Sequence, residues 1–159
     1  MSQTTLLHHI GATPPEIAAA LEHRANIIAM TQSAEDAVLI PRETGAWSHD
    51  LRHALAARIA RLHGLGDLSE TYGARVNDPA LAPVTDPSKD GAAQGLAHVC
   101  AFMDKVAART RDVTAGDIKG LQDAGVVDAD IVRLCEIAAF LAYQLRTLAG
   151  LRLMSEVWT

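Results

Sequence analysis

Apolar and polar positions alternate along this chain with helical spacing, and the breaks between the apolar runs carry helix-start and helix-stop chemistry. Thr13-Pro14-Pro15-Glu16 has the form of a helix start, with Thr13 as N-cap, proline in the first turn and glutamate at the capping-box position. Ile17, Leu21 and Ile28 then mark one apolar face to about Met30. Ser33-Ala34-Glu35-Asp36 predicts the start of a short second helix that Pro41 ends. Ser48 predicts the cap of the next, with Asp50 in its first turn, an apolar face of Leu51, Leu55, Ile59 and Leu62, and Gly64 as its stop. A helix from about Gly66 to Arg75 follows.

Asn77 to Asp90 contains Pro79, Pro83 and Pro87 and reads as a structured connector within one domain, because neither half can bury its helical stripes alone. Ala92, Leu96, Val99, Met103 and Val106 form a stripe through about Ala108. Thr114-Ala115-Gly116-Asp117 predicts a capping box for a short helix that stops at Gly125. Asp128 then predicts the cap of the longest helix, whose buried face is Ile131, Leu134, Ala138, Leu141, Leu145 and Leu148 and which Gly150 ends. No run alternates as a strand does, so the class is all-α, in a single domain over 1–159 with its core at about 13–153.

Composition narrows the picture. Hydrophobic residues make up 49% of the 159 positions and aromatics only 4%, so alanine and leucine fill the core, as in closely packed helices. The net charge of -5 and the lack of a basic stripe argue against nucleic acid. Cys100 and Cys135 fit no metal or redox spacing, and free thiols without a disulfide framework point to a reducing, cytoplasmic setting. The first residues lack a signal-peptide pattern, and the longest apolar candidate, Ile137 to Tyr143, is too short for a membrane span.

Arg52 to Tyr72, R-H-A-L-A-A-R-I-A-R-L-H-G-L-G-D-L-S-E-T-Y, resembles the signature helix-turn-helix of the AhpD-like / carboxymuconolactone decarboxylase superfamily. Thr114 to Leu151 is similar to that superfamily's pattern of a capped short helix, an Ala-Gly turn, an Asp-x-x-Ile start and a long helix ending in polar-x-Arg-x-x-x-Gly-Leu, here Gln144 and Arg146. The resemblance implies a bundle of six or seven helices, a homo-oligomer (trimer or hexamer, or dimer), and an active site where the helix after Gly64 meets the preceding one. A small-molecule ligand is consistent with that site, and neither cofactor nor metal is expected.

Thiol peroxidases of the superfamily carry a glutamate, then Gly-Cys-x-x-Cys, then a histidine four residues after the second cysteine. Laid on Gly64, those positions are His53, Leu65, Leu68 and Tyr72, so every member of the relay is replaced, and the decarboxylase branch's acidic-histidine motif at 68–72 is missing too. Leucine cannot carry electrons, which excludes a dithiol cycle.

Three readings follow. In the first, a small organic acid, lactone or peroxide binds in a helical pocket: His53 exchanges protons, Tyr72 donates to an oxyanion and Arg146 holds a carboxylate. In the second, Cys100 acts as a lone peroxidatic thiol. In the third, the chain is a non-catalytic oligomeric partner with its site plugged by Leu65 and Leu68. The bland alternatives are an exposed or interfacial helix face for His53, core positions for Tyr72, Cys100 and Cys135, and a surface or inter-subunit ion pair for Arg146. His49 and His53, four apart, lack a third metal ligand, and His8-His9 reads as a polar tail or interface piece.

Overall fold

Residues 4–157 are described in the computed structural model, and among them the chain forms α-helices and short 3-10 turns without a strand. The helices are α1 (Thr5–Ile10), α2 (Pro15–His23), α3 (Ala25–Leu39), α4 (His49–Leu62), α5 (Gly66–Gly73), α6 (Ala97–Ala108), α7 (Ala115–Asp123) and α8 (Asp128–Val157). The all-α class expected from periodicity is the observed one.

The axis of the bundle is α4. Every residue from Leu51 to Ala60 is buried, and Ala54, Ala56, Ala57 and Ala60 are wholly inaccessible, so neighbouring backbones approach closely. The sequence suggested a single apolar face on this helix, but the packing surrounds it with α5, α6 and α8. Burial on every side encloses Arg52, His53 and Arg58 as well, and enclosed polar groups cost stability unless they find partners. Arg52 donates to the carbonyls of Trp47, Val38 and Thr44 at 3.0, 2.7 and 2.8 Å and so shapes the loop before α4. Arg58 donates to both Asp104 oxygens at 2.6 and 2.7 Å and to the carbonyls of Val84, Asp86 and Lys89. One guanidinium thus pins the proline-bearing connector, with its 3-10 turn Ala82–Thr85, onto α4 and α6.

Local chemistry sets most helix boundaries. The Ser48 hydroxyl accepts from the Leu51 amide at 3.2 Å, and Gly64 leaves the helix with φ +75°. Thr114 and Asp117 complete the expected capping box, and Gly125 (φ +87°) follows α7. The expected core face of α8 is buried at all six positions from Ile131 to Leu148.

Other boundaries depart from expectation. A further helix, α1, precedes Thr13, which does not cap: its hydroxyl donates to the Gly11 carbonyl and Pro14 takes the N-cap position. The break expected near Ser33 lies at Arg24, so Ser33 and Glu35 are inside α3. The stripe from Ala92 becomes helical only at Ala97, after a 3-10 turn between Gly91 and Gly95, both with positive φ. Gly150 does not end α8. Two more turns follow, and Arg152 ties them down by donating to the His9 carbonyl (2.9 and 2.7 Å) and to Asp67, contacts that offset the roughly 1 kcal/mol cost of an interior glycine. No apolar stretch of spanning length is expected from the sequence, but among the described residues α8 is long and apolar enough, by length and composition alone, to cross a membrane, and Val132, Tyr143, Leu153 and Met154 on it are exposed.

Candidate functional site

Four helices converge on one buried carboxylate. Glu35, on the core face of α3, is 1% exposed. Its Oε1 accepts from the Thr5 hydroxyl of α1 at 2.7 Å and from Arg75 Nη1, just past α5, at 3.0 Å. Its Oε2 accepts from Gln144 Nε2 of α8 at 2.8 Å, and Gln144 Oε1 accepts from the Tyr72 hydroxyl of α5 at 2.7 Å. A carboxylate only accepts, so the whole chain has one sense: Gln144 must turn its NH2 to Glu35, and Tyr72 must donate. The Arg75 guanidinium lies 5.5 Å from the centroid of the Tyr72 ring, a cation–π contact, and also donates to Thr5 Oγ1.

These surroundings decide the acid–base character of the predicted pair. Burial, and then the charge of Glu35, push the Tyr72 hydroxyl far above its ordinary range, so it is a fixed donor rather than an acid. Burial, and then the Arg75 charge, pull the His53 imidazole below its ordinary range. Its ring lies 6.4 Å from that of Tyr72, its Nδ1 is buried without a well-formed hydrogen bond, and the His49 backbone only partly offsets the burial. His53 is therefore neither a surface histidine nor a member of the Glu35 network; it stands beside it.

The remaining candidates are dispersed. Arg146 shares α8 with Gln144 but is exposed and lines a separate opening of about 250 Å³ with His63, Leu65 and Ala142. Leu68 is core, whereas Leu65 is half-buried at that same opening, so the two leucines do not plug one pocket. Cys100 is 1% exposed, its Sγ is so near Gly91 that a Cβ there would come within 2.6 Å, and burial pushes its thiol above the ordinary range. Cys135, expected in the core beside Leu134, is exposed, because α8 turns that position away from Ile131 and Leu134. His49 Nε2 donates to the Pro41 carbonyl at 2.9 Å, and among the described residues no three His, Cys, Asp or Glu side chains converge as metal ligands would. His9 is buried rather than a tail residue: Nδ1 meets Asp67 and Nε2 meets Thr71, each at 3.0 Å.

One recess adjoins the Glu35 network and a second shares part of its wall. The first, of about 260 Å³, is lined by Thr4, Thr5, His8, Gln32, Thr71 and Arg75, a polar wall with one cationic group. The other, of about 320 Å³, lies among α1, α2 and α3 and is mainly apolar, with Leu7, Leu21, Ile28 and Ala29. Thr4 and Gln32 belong to both walls, so the recesses lie side by side there. The Arg75 side chain is still 41% exposed after pairing with Glu35, which leaves donor capacity for a ligand.

Sequence reasoning missed Glu35, Arg75, Thr5 and Gln32. For Glu35 a signal existed: Ile28, Thr31, Glu35 and Leu39 sit three, four and four residues apart, one buried helical stripe with a charge on it. No family model, curated protein or solved structure matches this chain, so its likeness to the AhpD-like superfamily rests on the motifs quoted above.

Proposed function

We propose that this chain binds a small organic acid bearing an apolar tail, with the carboxylate at Arg75 and the tail in the cavity among α1, α2 and α3. One observation carries the reading: a polar recess containing a half-exposed arginine lies beside an apolar cavity of similar size, with Thr4 and Gln32 shared by both. Arginine presents a planar fork that matches a carboxylate, and the hydroxyls of Thr5 and Thr71 line the same wall. Glu35, Gln144 and Tyr72 form the layer beneath, fixing the guanidinium from the core side. The superfamily resemblance supports a ligand of this class. A dithiol relay has no part in it, since positions 65 and 68 are leucine and the Cys100 thiol is packed against Gly91.

Calorimetric titration with octanoate, octanol and acetate tests the reading. Octanoate is expected to bind more tightly than either of the others, since only it offers both the charge and the tail. Arg75→Lys, which keeps the charge but removes the fork, should weaken octanoate about 10- to 100-fold, the scale of a charge-assisted hydrogen bond. No binding of octanoate to the folded wild type, or equal binding to the Arg75→Lys protein, overturns the proposal.

A further inference from the structure

Opposite its core stripe, α8 carries a second seam that stays exposed among the described residues. Val132, Glu136, Ala139, Tyr143, Arg146 and Gly150 are all exposed, and they follow one another at alternating steps of four and three. That is the heptad spacing of a two-helix contact, in which the slight supercoil keeps one line of residues against a partner. These positions are symmetric about residue 141, so the seam read backwards meets itself. An antiparallel second copy places Glu136 opposite Arg146, Ala139 opposite Tyr143, and Val132 opposite Gly150. Each pair is complementary, by charge in the first case and by large against small in the other two.

Three further facts favour a second copy. Neither Glu136 nor Arg146 takes a salt bridge within the chain among the described residues, so the two charges are available to each other across a two-fold axis. Tyr143 is already fixed: its hydroxyl pairs with that of Thr31 at 2.8 Å and its ring lies 6.4 Å from Phe140, so little freedom is lost when it seats against an alanine. The apolar surface continues onto α3, where exposed Ile27 lies one turn before Thr31 and its carbonyl accepts the Thr31 hydroxyl. A lipid surface fits the seam poorly, because it would have to accept Glu136 and Arg146 in the middle of the stripe without a partner.

We propose that this chain forms a two-fold homodimer through antiparallel α8 helices, with Glu136 of each copy paired to Arg146 of the other. The test is sedimentation equilibrium of the wild type, Arg146→Glu, Glu136→Arg and the double exchange, with circular dichroism confirming that each stays helical. The wild type is expected to dimerise, or to form a larger assembly built from such dimers. Either single reversal sets like charges opposite one another and should raise the dissociation constant at least about tenfold. The double exchange restores the pair and should restore the association. A wild type that is monomeric at every concentration overturns the proposal, including one that instead co-sediments with phosphatidylcholine vesicles. So does an assembly that the single reversals leave intact, or one that the double exchange fails to rescue.

Discussion

Burial, and then the charge of Arg75, disfavour a proton on His53, so the folded chain favours the neutral imidazole. The unfolded chain binds a proton at about pH 6.5. Between that value and the lower folded one, the unfolded state holds more protons than the native state. Stability from this residue is therefore complete above about pH 6.5 and falls as the pH drops, with a slope of at most about 1.4 kcal/mol per pH unit. His53→Leu removes both the titration and the poorly bonded nitrogen. Urea unfolding at pH 7 should show the variant as stable as the wild type or more so, and between about pH 6.5 and 5 its stability should be flatter. An unchanged acid slope would show that His53 is not its source. Octanoate binding should survive, because the ligand contact belongs to Arg75. Tyr72 teaches the complementary lesson: its hydroxyl was legible as a polar group near the helix hairpin, but its commitment to Gln144 arises from a partner 72 residues away.

Connecting segments in this fold depend on α4 more than on their own sequence. The connector between α5 and α6 presents its carbonyls to Arg58, whose side chain is 2% exposed. Arg58→Met keeps length and apolar bulk but orphans those carbonyls and unpairs Asp104. Because Asp104 stays 29% exposed, the cost falls at the lower end for a broken buried pair, about 3 kcal/mol. That corresponds to a melting temperature lower by roughly 6–12 °C, with limited proteolysis accelerated within residues 84–89. A variant that resists proteolysis there as the wild type does would show that the connector holds itself.

Arg58 also marks what sequence can reveal about the elements. Ser48, Gly64, the Thr114–Asp117 box and the core face of α8 act through neighbours within one helical turn, and each was readable. The continuation of α8 past Gly150 was not, because Arg152 finds its partners in His9 and Asp67 across the bundle. Placing a helix start at Ser33 hid the stripe that carries Glu35. The true break at Arg24 has neither proline nor glycine to announce it. The fold class follows from local pattern; the candidate site is assembled from long-range pairs that no spacing encodes.

At the scale of the whole molecule, both recesses depend on α1 and its N-cap, which supply Thr4, Thr5, Leu7 and His8 to their walls. Six residues cannot hold a helix by themselves, so α1 persists only through its docking. Thr5 attaches one end to Glu35, and at the other end His9, Asp67, Thr71 and Arg152 join α1 to α5 and to the last turns of α8. Burial raises the Asp67 carboxyl, but hydrogen bonds from His9 and Arg152 more than offset this and leave it below its ordinary value. Its contribution is present above the ordinary carboxylate range and lost only as the pH falls below about 4, so the latch is closed at neutral pH. Arg152→Gln should open it there. Hydrogen exchange is then expected to quicken about 10- to 100-fold in residues 5–10, the loss of one or two charge-assisted bonds, while α4 keeps its protection. Octanoate affinity should fall with it, because the ligand must spend binding energy on redocking α1. Faster exchange throughout α4 would instead mean that Arg152 supports the whole bundle, and unchanged exchange in α1 would mean that Thr5 alone holds the recess closed.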